Sequence, residues 1–250
     1  MKSISSRKNP VLTHLKKLAM DGAYRTQCGE FVCDGIKMLG DALKSGAEVT
    51  CVVTSDADFS VEAGDAPVYL VPGDVLGSVS YLKTTKDVLF SCKIREAVPE
   101  GILDSRVIIL DGIQDPGNVG TILRSANAFR FDFIILTGGC ADAYNPKTVR
   151  ASMGAIFRQR FFKAEYDFIE DLVSRGAVIY GAAVSEGCIS VMDVELRGKI
   201  LAVGSEGNGL SEHLLGLCAE KIKIPMAEGC ESLNAATAAS VLMWTAFAER

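Results

Sequence analysis

Three short stretches of this 250-residue chain hold the side chains best suited to chemistry. The first, Asn118-Val119-Gly120-Thr121-Ile122-Leu123-Arg124, follows the apolar run Val107-Ile108-Ile109-Leu110 and a turn rich in Gly, Asp and Pro. Glycines let a backbone turn tightly and approach a ligand, and a strand, a glycine turn and a helix together aim free N–H groups at an anion. Asn118 falls where a helix N-cap is expected. Arg124 lies about two turns on, off the apolar stripe of Ile122, Leu123, Ala126 and Phe129. The second stretch, Gly204-Ser205-Glu206-Gly207-Asn208-Gly209, sets a carboxylate among glycines. That placement opposes a phosphate and suits a ligand offering hydroxyls, an amino group or positive charge. The third runs from Ile224-Pro225-Met226 to Ser232-Leu233-Asn234 and enters an alanine-rich helix, which Ser232 or Asn234 can cap. Taken singly, each stretch has a plain structural explanation as a cap, a solvated charge or a flexible turn.

Several chemistries are excluded by pattern. No Lys-Ser/Thr follows the glycines of the second stretch, so it is not a P-loop, and it lacks the GxGxxG turn of a dinucleotide-binding oxidoreductase. The 8 cysteines form no CxxC pair and the 2 histidines, His14 and His213, lie far apart, so no metal site is expected and the cysteines read as reduced apolar side chains. Neither histidine is well placed as a base: His14 falls in an N-terminal helix and His213 in the first turn of another. With 48% apolar and 23% charged residues and a formal charge of -5, the composition is that of an ordinary globular protein. No uncharged apolar run reaches the roughly 18 residues of a membrane helix. The start, Met1 to Pro10, has no apolar core after its charges, so a soluble cytoplasmic protein is expected.

The elements that must position these residues form two blocks. Residues 1–95 alternate short strands and helices in a small α/β layer, with an amphipathic helix over Asn9–Met20, a helix over Ile36–Ser45 and strands at Val49–Thr54 and Leu89–Cys92. Residues 96–104 read as a linker carrying Pro and Gly. Residues 105–250 hold near-continuous apolar strands separated by helices, among them helices over Val119–Phe129, Pro146–Phe157 and Ser232–Ala248. This is the pattern of a mostly parallel sheet covered on both faces. Ligands in such sheets sit at the carboxyl ends of the strands, where the three stretches fall.

In this order and spacing the three stretches resemble the motifs of the SpoU/TrmH family of AdoMet-dependent RNA ribose 2′-O-methyltransferases: N-x-G-x-x-x-R, G-x-E-x-x-G, and I-P-M with S-L-N. Arg150-Ala151-Ser152-Met153-Gly154-Ala155 is similar to a helix the family carries between its first two motifs, and the N-terminal block resembles an L30e-like substrate-binding domain. One departure is Ala235, where the family often has valine, a loss of volume without loss of chemistry. Another is the Thr84-Thr85-Lys86 stretch, which lacks the family's usual glycine. The resemblance implies an α/β SPOUT fold whose C-terminal segment threads a trefoil knot, S-adenosyl-L-methionine as methyl donor, no metal, and a homodimer formed through the C-terminal domain. It implies catalytic positions at Asn118, Arg124, Glu206, Ser232 and Asn234. Cofactor contacts fall to Gly204, Gly209, Ile224, Met226 and Leu233.

The implied partner is a structured RNA, rRNA or tRNA. With the whole chain acidic, its phosphates need a local basic surface, for which Arg7, Lys8, Lys16, Lys17, Arg25 and Arg150 are the candidates. The resemblance gives proton abstraction to Arg124. Because a guanidinium holds its proton to a pKa above about 12, general base and electrostatic stabiliser stand as rival roles. The competing reading is a non-catalytic RNA-binding protein that keeps the fold.

Overall fold

Asn9 and Pro10 fix the start of the first long helix: the Asn9 side chain accepts from the Val11 N–H and Pro10 supplies the first-turn φ. A computed structural model describes residues 1–79, 88–95, 97, 99–185 and 187–249; the Thr84-Thr85-Lys86 stretch, and Glu96 and Val98 of the linker, lie outside the described residues. The chain divides into two compact units, Met1–Arg95 with Asp142–Arg158, and Glu96–Ala141 with Gln159–Arg250.

The first unit runs β1 (Lys2–Ser3), α1 (Pro10–Met20), α2 (Gly22–Cys28), β2 (Glu30–Asp34), α3 (Ile36–Lys44), β3 (Val49–Thr54), β4 (Val68–Leu70), α4 (Gly73–Val79) and β5 (Val88–Lys93). Its five-stranded sheet has the order β1-β4-β3-β5-β2, parallel through β1, β4 and β3 and antiparallel at β5 and β2. Leu12, Leu15 and Leu18 fall on one face of α1 and pack with Val32, Val53 and Leu89 in a closed core. Burying each such leucine contributes about 1.5–3 kcal/mol.

The second unit begins with β6 (Val107–Asp111), α5 (Pro116–Ala128) and β7 (Phe133–Leu136). The chain then supplies α6 (Pro146–Ala151), which belongs to the first unit, before returning with β8 (Arg160–Lys163), α7 (Tyr166–Ser174), β9 (Ile179–Ala182), β10 (Ile189–Ser190), β11 (Ile200–Gly204), α8 (Glu212–Leu217), β12 (Glu220–Lys223) and α9 (Ala235–Ala248). The sheet is seven-stranded and parallel throughout, in the order β10-β12-β9-β11-β6-β7-β8. Strand order reverses beside β6, because β7 and β8 lie on one side and β11, β9, β12 and β10 on the other. Both β11 and β12 insert between strands with which they are not consecutive in the chain.

Three expectations from sequence change here. The helix expected over Pro146–Phe157 ends at Ala151, because Met153 (φ 48) and Gly154 (φ 84) take left-handed backbone and a single 3₁₀ turn follows at Ala155–Phe157. A Cβ on Gly154 would come within 2.7 Å of the Asp41 carboxylate, so the break fits closely against α3. The last helix starts at Ala235, with Asn234 as its cap through the Ala236 and Thr237 N–H groups. The third is Arg25, placed above among RNA contacts. It is 4% exposed. Its Nε and Nη2 donate to Asp142 Oδ2 at 2.9 and 2.6 Å and its Nη1 donates to the Leu18 carbonyl at 2.6 Å, so it ties residues 142–158 into the first unit and cannot face a phosphate.

Arg25→Ala is therefore expected to destabilise the first unit. Removing one partner of a buried pair costs about 3–5 kcal/mol, and the partial exposure of Asp142 brings this to about 2–3 kcal/mol. Hydrogen exchange of α1 and α2 amides should quicken accordingly, and unchanged protection would remove Arg25 from this role.

Candidate active site

Residues from all three stretches meet at one edge of the parallel sheet, within the second unit. In α5 the cap is Asp115, whose side chain accepts from the Asn118 N–H at 3.1 Å, and Pro116 occupies the first helical position. Asn118 is thus in the first turn of the helix rather than its cap, because Asp-Pro starts a helix more effectively than the asparagine that follows. Its side chain is free to reach across. Asn118 Nδ2 donates to Glu206 Oε1. Asn234 Nδ2 donates both to Asn118 Oδ1 at 3.1 Å and to Glu206 Oε1 at 3.2 Å. The same Asn234 caps α9 through its Oδ1, so one residue fixes the helix start and joins the cluster. Glu206 receives both amides on Oε1, while Oε2 accepts from no side chain among the described residues.

The cluster borders a cavity of about 390 Å³ at the carboxyl ends of β9, β11 and β12, a volume in the range of small-molecule sites. Gly204, Glu206, Gly209, Ile224, Met226, Ser232 and Leu233 all line it. The loop after β11 closes on itself through paired backbone bonds, Ser205 N–H to the Gly209 carbonyl at 3.0 Å and Gly209 N–H to the Ser205 carbonyl at 2.8 Å. The wall is largely backbone and aliphatic, with a carboxylate at its rim. Lys221 and Lys223 border the same space, so an apolar wall carries charge of both signs at its margin, and the space a Cβ on Gly204 would take is filled by Gly209.

Arg124 is not brought to the cluster. It stands exposed on α5, on another face of the helix from Asn118, and bonds to no side chain among the described residues. Ser232 lines the cavity without a hydrogen bond to the Asn118–Glu206–Asn234 cluster. Lys8, Lys16, Lys17 and Arg150 are exposed; Lys17 Nζ lies 5.2 Å from the Tyr24 ring centre, and Arg7 pairs with Asp74 at 2.6 Å. All belong to the first unit. The histidines are held elsewhere: His14 bonds Tyr24 and Glu30, and exposed His213 stacks on Tyr166 and bonds Glu170. Among the described residues no group of three or more His, Cys, Asp or Glu is arranged to hold a metal ion.

Sequence reasoning missed two parts of this edge. Lys221, Lys223 and the Ala182–Ser185 turn also line the cavity, a placement that follows from strand order and leaves no mark in local sequence. Asp111 is the other. Burial acts to raise its carboxyl, but the Ser211 backbone N–H and the Tyr166 and Thr137 hydroxyls outweigh it and hold the group below the ordinary carboxylate value.

A parallel α/β sheet with a glycine-walled cavity and an Asn–Glu–Asn cluster at its strand ends defines a small-molecule-binding α/β protein of the enzyme type. Comparison with known proteins narrows the class. Residues 105–244 match the SpoU rRNA Methylase family and residues 9–89 the MRM3-like substrate binding domain. The chain belongs to the SpoU rRNA methylase family. It is 30% identical to the Bacillus subtilis 23S rRNA (guanosine(2553)-2′-O)-methyltransferase RlmP over 98% of each chain. To the Streptomyces viridochromogenes 23S rRNA (uridine(2479)-2′-O)-methyltransferase it is 29% identical, over 90% of this chain and 85% of that one. Among solved structures, the S. viridochromogenes SpoU methyltransferase AviRb in complex with AdoMet superposes with a TM-score of 0.87 at 27% identity, covering 97% of this chain and 98% of that one. The AdoMet-bound rRNA methyltransferase from Sinorhizobium meliloti gives 0.88 at 26% identity, covering 98% and 97%.

Proposed function

We propose that this protein is an AdoMet-dependent methyltransferase acting on a ribose 2′-hydroxyl of 23S rRNA. The observation that carries the reading is the Asn118–Glu206–Asn234 cluster at the rim of the cavity. Bound AdoMet supplies an electrophilic methyl on a sulfonium. Backbone of the Gly204–Gly209 loop, with Ile224, Met226 and Leu233, would hold it, and the free Oε2 of Glu206 suits its positive charge. Asn118 and Asn234 fix that carboxylate and leave little freedom at the rim. In-line transfer is chiefly a matter of such positioning. Arg124 is read as the group that takes the ribose proton or offsets the charge growing on the 2′-oxygen, and Ser232 as a polar contact for the ribose. The late insertion of β11 and β12 into the sheet, with α9 returning to pack on α5, supports knotted threading of the C-terminal segment.

Isothermal calorimetry tests the cofactor assignment: AdoMet should bind and NAD should not. Absence of AdoMet binding would contradict it. For the RNA, Lys16→Gln, Lys17→Gln and Arg150→Gln should each lower the salt slope of rRNA affinity by roughly one. A slope unchanged in all three would remove this surface.

The same reading makes the protein a homodimer through the second unit. Trp244 stands exposed on α9, beside the α5 helix that carries exposed Arg124, and α5 and α9 are joined by the Ser125–Ser240 hydrogen bond at 2.7 Å. A second copy covering this face would shield Trp244 and bring Arg124 into a shared site. Light scattering should give a dimer for the wild type and a shift toward monomer for Trp244→Glu; a dimer unaffected by that change would place the contact elsewhere. No helix among the described residues is long and apolar enough to cross a membrane, and the proposed activity is read as cytoplasmic.

A further inference from the structure

Asp111 ends β6, and in register beside it Gly204 ends β11. Asp111 is 3% exposed and its carboxylate is held by neutral donors: the Tyr166 hydroxyl at 2.7 Å and the Thr137 hydroxyl at 2.8 Å on Oδ1, and the Ser211 backbone N–H at 2.7 Å on Oδ2. No ion pair reaches it among the described residues. A buried anion without a counter-ion is costly, and an apolar side chain would fill the strand end without that cost.

What the carboxylate grips shows why an acceptor is needed there. Ser211 is the first residue after the loop that runs from Gly204 to Leu210, and it caps α8 by accepting the Leu214 N–H at 3.2 Å. Its Oγ lies 3.0 Å from the Tyr166 hydroxyl, closing a ring of contacts around Asp111. The other root of the loop, Gly204, pairs with Asp111 across the sheet. Both roots are therefore tied to one residue, Gly204 through the sheet and Ser211 through the carboxylate, and Glu206 stands between them. His213, on the same short helix, stacks on the Tyr166 ring with centroids 4.6 Å apart and covers the ring from outside.

We infer that Asp111 is a positioning residue: through the Ser211 N–H it fixes the Gly204–Leu210 loop, and through that loop it sets the Glu206 carboxylate at the cofactor cavity. This rests on the reading of the cavity as the AdoMet site. The requirement is for an acceptor facing Ser211. Asp111→Asn retains one, because its amide oxygen can take the Ser211 N–H while its NH₂ turns to the Tyr166 and Thr137 hydroxyls, which also accept. Asp111→Ala leaves the Ser211 N–H unpaired.

The test uses the full chain with two readouts. In the protein without AdoMet, hydrogen exchange at Ser205, Asn208 and Gly209, whose N–H groups are bonded within the loop, should quicken in Asp111→Ala and stay near wild type in Asp111→Asn. By calorimetry, Asp111→Ala should weaken AdoMet binding about tenfold or more, with Asp111→Asn within about threefold of wild type. In turnover the loss should fall on KM for AdoMet more than on kcat. Should Asp111→Ala fail to fold, Ser211→Pro removes the same donor at a φ of -61 that proline adopts, and should reproduce the quickened exchange. Unchanged loop exchange in Asp111→Ala, or equal losses in the Ala and Asn variants, would overturn the inference. A wild-type protein that binds no AdoMet would overturn the site reading instead, and loop exchange would still decide the role of Asp111.

Discussion

Arg124→Ala is expected to bind AdoMet within a few-fold of wild type and to lose methyl transfer by about 10²–10³ in kcat, the range for removing a group that meets charge in the transition state. The separation of the two effects follows from geometry. Arg124 does not line the cavity and touches none of Asn118, Glu206 or Asn234, so its loss leaves the cofactor wall intact. The proton on a ribose hydroxyl is poorly acidic, so the step needs either a base or a cation beside the emerging oxyanion. Arg124→Lys separates the two roles. A lysine that restores most of the rate across neutral pH marks an electrostatic stabiliser. A lysine variant whose rate rises with pH toward the ammonium pKa, near 10.4, marks a proton acceptor. Full activity in both Ala and Lys variants would remove Arg124 from the reaction.

Gly204→Ala is expected to cost about 10–100-fold in AdoMet affinity. An ideal Cβ there would lie 2.0 Å from the Gly209 carbonyl carbon and oxygen and 2.2 Å from the Leu210 nitrogen. These are backbone atoms, held by the reciprocal Ser205–Gly209 bonds, so no side chain can swing away. The loop must open, which draws Glu206 from its two amides and reshapes the cavity. Overpacking of this kind costs about 1–3 kcal/mol, or roughly 5–150-fold if it falls on the bound form. Gly216→Ala in α8 is the comparison: a Cβ there meets nothing within 4 Å, and the added methyl should leave stability unchanged or raise it. Calorimetry on both variants decides, and wild-type affinity in Gly204→Ala would mean that the loop does not form the cofactor wall.

Much of this edge was legible in the sequence because its chemistry sits in contiguous stretches. Asn118, Glu206 and Asn234 stand out in glycine turns, caps and family motifs, and the fold brings their side chains together. The strands at Val107–Asp111, Phe133–Leu136 and Ile200–Gly204 were readable as apolar runs because a parallel sheet is buried on both faces. What escaped depends on distant partners. Arg25 reads as a surface cation until Asp142, far along the chain, takes its guanidinium inward. Asn118 reads as a cap because its amide is a good one, although Asp115 and Pro116 had already started the helix. The short strands β8 and β10 carry charged or polar residues at exposed edges and give no apolar run. Asp111 looks like any turn aspartate until Tyr166, Thr137 and Ser211 converge on it.

The central claim is methyl transfer to a ribose, and the most direct measurement follows the methyl. Purified protein would be incubated with methyl-labelled AdoMet and RNA from a strain lacking this gene, with 23S, 16S and transfer RNA then separated and hydrolysed in alkali. The account predicts label in 23S rRNA, retained in an alkali-resistant dinucleotide, since a 2′-O-methyl group blocks cleavage at that position. Label on a base, or AdoMet binding without transfer to free or ribosome-assembling 23S rRNA, would contradict it, the second result leaving a binding protein that kept the fold without its reaction.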